Sequence, residues 1–418
     1  MSKNIYIIIF TLFFSACSMN SLTPVTPSKK AFELEDNYIF YAIRAEEVHQ
    51  YKAAADSFST LYEKSKKTEY LYRELKNRLM TKEYEYVIAK VDSIKSDDLQ
   101  LVRFKILSLI GLSRYEEAQK LTENLAKDSN AINDHLLLSD IYLQRAQVRK
   151  AVDYLQTVYE SNFNEYILDK LSLITYNNLN EKERAIEKLE AHTKIVGCTK
   201  VICTRLMLFY SQSNNLDALL ATYLRYYEVS REDEIGKKIV GIYEYKQEYL
   251  PMMSFLEKYK NDDKRLLQLY ASTKNYKKAY PLAMSLYKRD GEFEYLAQSA
   301  IYEYESNQEN RDEKLLKSVV KKLTTVIKAE PNALYLNYLG YLLIDHKLDV
   351  KKGMIYVEKA LVLAPNSAFY LDSLAWGYYR LGECKRAKKL MQTVVKLEGG
   401  DDKEVLSHIK FINKCINK

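Results

Sequence analysis

Between residues 333 and 401 apolar side chains recur every three or four positions, with polar residues on the other side. That period belongs to amphipathic helices. Residues 368–401 read AFYLDSLAWGYYRLGECKRAKKLMQTVVKLEGGD, and residues 333–367 carry the same order of large and small positions. In the later segment Leu371, Leu374, Ala375, Tyr378, Gly382, Ala387 and Met391 hold places 4, 7, 8, 11, 15, 20 and 24. Leu336, Leu339, Gly340, Leu343, Val357, Ala360 and Pro365 fill the matching places earlier, with one extra residue in the turn and Gly353 at place 20. The pattern predicts two helices of about 12 residues folded into a hairpin, with small residues where they approach most closely. One hairpin cannot bury its apolar face alone, so further hairpins are expected upstream.

This order of places resembles the tetratricopeptide repeat, TPR. The resemblance implies an all-α, right-handed α-solenoid of stacked hairpins, about 11 of them, closed by a C-terminal capping helix. The place-20 residue traces the register. Ala54, Val87, Ala118, Ala151, Ala185, Ala218, Met252 and Ala279 follow at steps of 33, 31, 33, 34, 33, 34 and 27, and Gly353 and Ala387 stand 34 apart. From Ala279 to Gly353 is 74, so one more hairpin is expected there, at residues 292–331, with residues 306–311 as its loop. The short step, and Pro281 several residues into a helix, predict a kink and a boundary between two arrays. The expected organisation is an N-terminal array at 31–291, a C-terminal array at 292–401 with clean repeats 333–367 and 368–401, and a cap at 402–418. Val405, Ile409, Ile412 and Ile416 share one face of that cap.

Composition agrees with helices. The chain has 418 residues, only 11 Gly and 6 Pro, and 28% charged residues, which favours long helices over turn-rich β structure. Tyr is abundant, at 37. A Tyr ring packs between helices while its hydroxyl reaches an edge; a Tyr-rich surface for peptide or glycan is the alternative. The net charge of +7 is spread out and gives no reason to expect a nucleic-acid partner. The basic run from Lys314 to Lys328 alternates with apolar residues and is expected to be a solvated helix face.

Residues 1–16 read as an export signal: Lys3, then an apolar run of ten from Ile5 to Phe14, too short to span a bilayer. Phe14-Ser15-Ala16-Cys17 resembles a bacterial lipobox. That resemblance implies lipidation of Cys17 and anchoring of the mature chain, with Ser18 favouring the periplasmic face of the bacterial outer membrane. Residues 17–30 are expected to be the lipidated N-terminus and a flexible tether.

Motifs for chemistry are scarce. There is no phosphate-binding Gly loop and no H-E-x-x-H. His49, His135, His192, His346 and His408 are dispersed, and each is expected to face solvent or a loop. No catalytic residue, metal or cofactor is expected, and an enzyme is disfavoured. Cys198–Cys203 and Cys384–Cys415 are candidate disulfides, the second because an antiparallel cap brings those ends together; free buried thiols are the alternative.

The resemblance further implies that places 2, 5, 9, 12 and 13 of each first helix line a concave groove for a peptide or helix. Here these are Leu334, Asn337, Tyr341, Ile344 and Asp345, then Phe369, Asp372, Trp376, Tyr379 and Arg380. Trp376 is the only Trp and is expected to be an open hydrophobic anchor; the alternative is that the cap covers it. Two functions stay open. One is a lipid-anchored scaffold or adaptor for protein partners in a cell-envelope machine: outer-membrane assembly, pilus, secretion or flagellar motor. The other is a regulator or binder of cell-wall synthesis or peptidoglycan.

Overall fold

The computed structural model describes residues 30–397 and 402–416. The export signal, Cys17 and the tether up to residue 29 lie outside the described residues. Among the described residues there are 23 helices and no strand, which is eleven hairpins followed by the terminal helix Lys403–Ile416. The chain divides into two compact units, Met1–Ile235 and Gly236–Lys418. This division falls inside the helix Asp233–Tyr245, not at residue 291. Within each unit the hairpins stack in chain order as an α-solenoid. Most consecutive helices within a unit pack on each other, and some first helices also touch the next first helix, as Ala333–Asp345 does Ala368–Arg380.

The register that the sequence suggests has a structural meaning. Ala54, Val87, Ala118, Ala151, Ala185, Met252, Ala279, Gly353 and Ala387 are each the fourth residue of a second helix, and all are buried. Ala218 departs from the series. It is third in the helix Leu216–Ser230 and half-buried, and Leu219 takes the fourth, buried place. In the hairpin expected at 292–331, made by Phe293–Ser306 and Glu313–Ala329, that place is Leu316, 37 residues from both Ala279 and Gly353. The step of 27 has a simple cause: the helices Tyr249–Tyr259 and Asp263–Ser272 have only 11 and 10 residues. Pro281 lies inside the 15-residue helix Tyr276–Asp290.

The turns within hairpins repeat as closely as the helices. His49, Lys82, Ser113, Ala146, Asn180, Asn214, Gln247, Lys274 and Gly382 all have positive φ and stand two residues before a second helix. Lys347 stands three before, which places the extra residue of that repeat in its turn. Only Gly382 occupies this left-handed conformation free of the Cβ penalty.

Close approach of helices is greatest in the hairpin 333–363. A Cβ on Gly340 would lie 2.7 Å from the Gly353 carbonyl oxygen, so the two backbones touch. The basic helix Glu313–Ala329 buries Leu316, Val319, Leu323 and Val326 and turns Lys314, Lys317, Lys321 and Lys328 to solvent, the solvated face expected.

Tyrosine has a recurrent use in both units. The hydroxyl donates to a carboxylate from Tyr70 to Glu35 (2.8 Å), Tyr86 to Glu74 (2.6 Å), Tyr142 to Glu123 (2.9 Å), Tyr210 to Glu190 (2.8 Å), Tyr270 to Glu257 (2.7 Å) and Tyr335 to Glu294 (2.6 Å). The ring gains burial and the polar tip gains a charged acceptor at the edge. Burial, reinforced by the carboxylate, raises these hydroxyls above their ordinary pKa.

Candidate functional site

The first helices of the last two hairpins are Ala333–Asp345 and Ala368–Arg380. Asn332 and Ser367 cap them, their side chains accepting from the Leu334 and Tyr370 amides. An offset of 35 residues relates the two helices. It pairs Leu334 with Phe369, Asn337 with Asp372, Tyr341 with Trp376, Ile344 with Tyr379, and Asp345 with Arg380.

The structure separates these residues into a covered group and an open one. Trp376 is 5% exposed and is not an open anchor. The terminal helix Lys403–Ile416 lies over it. The His408 ring stacks on Trp376, with centroids 4.0 Å apart and planes 15° apart. Tyr379 stacks 4.7 Å away, and the Arg380 guanidinium lies 4.6 Å from the indole. The indole Nε1 donates to Asp345 Oδ1 at 3.0 Å, and Arg380 Nη2 donates to the same oxygen and to the Asp345 carbonyl, both at 2.9 Å. Arg380, one of the expected groove residues, is therefore already engaged with a carboxylate from the neighbouring repeat. Asp372 is buried too, with both oxygens 3.0 Å from His408 Nδ1. The Tyr341 hydroxyl donates to Glu404, and burial first, then that carboxylate, pushes it far above its ordinary pKa. Ile344 is fully buried.

The open group is smaller. Leu334 is 51% exposed and Phe369 63% exposed. They hold the same place on adjacent first helices, 35 residues apart. Asn337 is half-buried, and its Oδ1 has no hydrogen-bond partner. That oxygen is itself buried, so the open surface is the apolar residues Leu334 and Phe369, suited to the apolar side of a protein segment.

The cysteines are brought together in the two pairs considered. Cys198 and Cys203 are bonded, with Cα atoms 5.6 Å apart, and so are Cys384 and Cys415, with Cα atoms 6.0 Å apart. Both separations fall in the usual disulfide range. The second bond fastens the last turn of the terminal helix to the start of Cys384–Lys396. Two histidines depart from the expectation of solvent exposure. His192 is 2% exposed and bonds the Tyr159 hydroxyl at 2.9 Å, and His408 is buried as described. A buried Glu35 was also invisible in the sequence. It accepts from Lys67 Nζ at 2.5 Å, the Ala31 amide at 2.6 Å and Tyr70, and these bonds, Lys67 foremost, lower its pKa to about 2. Among the described residues no helix is long and apolar enough to cross a membrane.

The chain matches no protein-family model. It is 35% identical over 95 residues to a TPR repeat-containing protein of Pseudomonas aeruginosa, a match covering 22% of this chain and 16% of that one. The chain thus spans about one sixth of the length of this curated relative. Similar solved structures include the APC/C hetero-tetramer Cut9–Hcn1, with a TM-score of 0.44 and 10% identity over 91% of this chain and 97% of that chain. Yeast Tom70 has a TM-score of 0.33 and 12% identity over 92% and 96% of the two chains. MamA from Desulfovibrio magneticus RS-1, residues 41 to the end, has a TM-score of 0.35 and 21% identity over 41% and 97%.

Proposed function

We propose that this chain, a tetratricopeptide-repeat protein, is a lipid-anchored adaptor that holds protein partners at the periplasmic face of the bacterial outer membrane. The observation that carries the binding role is the exposed pair Leu334 and Phe369, repeated at one place on adjacent first helices. The repeat does not need large apolar residues there for its own packing, and exposing them to water is unfavourable. Anchoring rests on the Phe14-Ser15-Ala16-Cys17 sequence and the polar tether after it. A tethered adaptor fits a multi-subunit envelope machine, where holding partners near one membrane raises their effective concentration for one another.

The peptidoglycan reading gains less. It rests on the abundance of tyrosine, and many of those hydroxyls already donate to carboxylates of the same chain. Capture from crosslinked envelopes separates the two. Enrichment of the subunits of one assembly supports the adaptor. Retention on purified peptidoglycan with no protein enriched contradicts it.

A further inference from the structure

Charge is divided unevenly in the last three hairpins. Their second helices are Glu313–Ala329, Val350–Leu363 and Cys384–Lys396. The first carries five Lys against Glu313, the second three Lys against Glu358, and the third four Lys and Arg386 against no acid. These helices therefore hold eleven net positive charges, more than the +7 of the whole chain. The matching first helices, Phe293–Ser306, Ala333–Asp345 and Ala368–Arg380, hold Glu294, Glu303, Glu305, Asp345 and Asp372 against Arg380 alone. Charge that looks spread out along the sequence is thus gathered on one set of helices. The three second helices lie side by side: Tyr356 packs on the core that holds Leu316, Val319 and Leu323, and Leu390 on the core that holds Met354 and Val357. All of their twelve lysines except Lys322 are exposed. Only Lys317 and Lys322 form ion pairs among the described residues. Exposed aliphatic residues are set among these cations. Lys352, Ile355, Lys359 and Val362 stand at i, i+3, i+7 and i+10 on one stripe, and Val395 adjoins Lys396. A cleft of about 390 Å³ between two of the helices is lined by Ile327, Lys328, Tyr356, Lys359, Val362 and Leu363.

We propose that this second-helix face docks on a membrane of anionic phospholipid. The lysines meet the headgroup phosphates, and Ile355, Val362 and Val395 enter the headgroup layer. The composition of the face favours lipid over an acidic protein. Lys is a hydrated point charge on a flexible stem, suited to a diffuse field of phosphates, whereas Arg makes the bidentate contacts that fix one carboxylate. Protein interfaces are poor in Lys and rich in Arg and aromatic residues. Here twelve Lys accompany one Arg, and the one aromatic residue, Tyr356, is half-buried. The inference goes beyond the adaptor reading: it adds a membrane contact that uses neither Cys17 nor the pair Leu334 and Phe369.

The test uses residues 17–418 with Cys17→Ser, which lack the export signal and the acylation site and keep every described residue. Sedimentation with vesicles of phosphatidylglycerol and phosphatidylcholine, mixed one to two, is compared with sedimentation with phosphatidylcholine alone. Binding is expected for the anionic vesicles only. It is expected at about 0.1 M salt, where charges are felt over about 10 Å, and to be lost by about 1 M, where that length is about 3 Å. Lys328→Glu/Lys359→Glu/Lys388→Glu is expected to weaken it at least about tenfold, since each cation near an anionic surface contributes about fivefold in affinity. Lys52→Glu/Lys127→Glu/Lys194→Glu makes the same change of charge on exposed lysines of the other unit and is expected to alter binding little. All six positions are exposed, so both variants are expected to melt like the parent. Equal binding to the two kinds of vesicle, binding indifferent to salt, or an equal loss in the two variants overturns the proposal. Absence of binding to the anionic vesicles also overturns it, and a chain that then binds polyglutamate assigns the face to an acidic protein. Lipid labelling of Cys17 and capture at Phe369 decide the adaptor reading separately, because this assay uses neither.

Discussion

Gly340 and Gly353 face each other across the hairpin 333–363 with no room for a methyl group on either. A Cβ on Gly353 would lie 2.6 Å from the Gly340 carbonyl oxygen and 2.8 Å from Ile344 Cγ1. Backbone cannot move aside as a flexible side chain can. Gly353→Ala is therefore expected to destabilise this hairpin by about 2 kcal/mol, within the range for overpacking, despite alanine's better helix propensity. Chemical denaturation followed by far-ultraviolet circular dichroism checks it; a midpoint at or above the parent's contradicts the contact.

Trp376 gives a prediction opposite to the one its repeat place suggests. Buried beneath His408 and bonded to Asp345, it belongs to the folded core of the chain's end. Trp376→Ala is expected to cost about 3 kcal/mol or more, as large-to-small core changes do. Hydrogen exchange should show the loss in Lys403–Ile416 and Ala368–Arg380. Unchanged protection of both helices would show that the indole is not core.

Glu35 ties the first helix to Lys67 and Tyr70. Its folded pKa, about 2, lies below its ordinary 4.5. The stabilisation it supplies is therefore full above about pH 4.5 and is lost as pH falls toward 2. Glu35→Gln is expected to lower stability at pH 7 and to approach the parent as pH drops through that window. Parallel denaturation series at several pH values measure it; a constant gap across the window contradicts the assignment.

Anchoring is tested at Cys17. Cys17→Ser is expected to abolish incorporation of labelled lipid and to move the protein from the membrane to the soluble fraction. A parent chain that takes up no lipid label, with a variant that still sediments with membranes, refutes the anchor.

The fold was legible because its period is physical. A buried residue recurs at the fourth place of each second helix, and the 34-residue spacing shows it. Register failed by one residue at Ala218, because Ala218 and Leu219 are both apolar and only packing separates them. Leu316 went unnamed because helices of 14 and 17 residues stretch that hairpin. The site was harder to read. A repeat register says which face of a helix a residue occupies, but not what covers that face, and so Trp376 looked open. The contact that decides the matter joins positions 376 and 408, and no local pattern links them. His192 and Glu35 were missed for the same reason: their partners lie a full repeat away, at Tyr159 and Lys67.

The most direct test of the adaptor is a photo-crosslinking residue placed at Phe369 and, as a control, at Val362, which is 79% exposed and lies on the second helix Val350–Leu363. Crosslinking is carried out in intact cells, and each variant is first shown to melt like the parent. Position 369 is expected to yield discrete adducts with envelope proteins and position 362 few, and adding Leu334→Ser is expected to remove the adducts at 369. Adducts at 362 but none at 369, from a chain that is folded and membrane-bound, would contradict the adaptor reading.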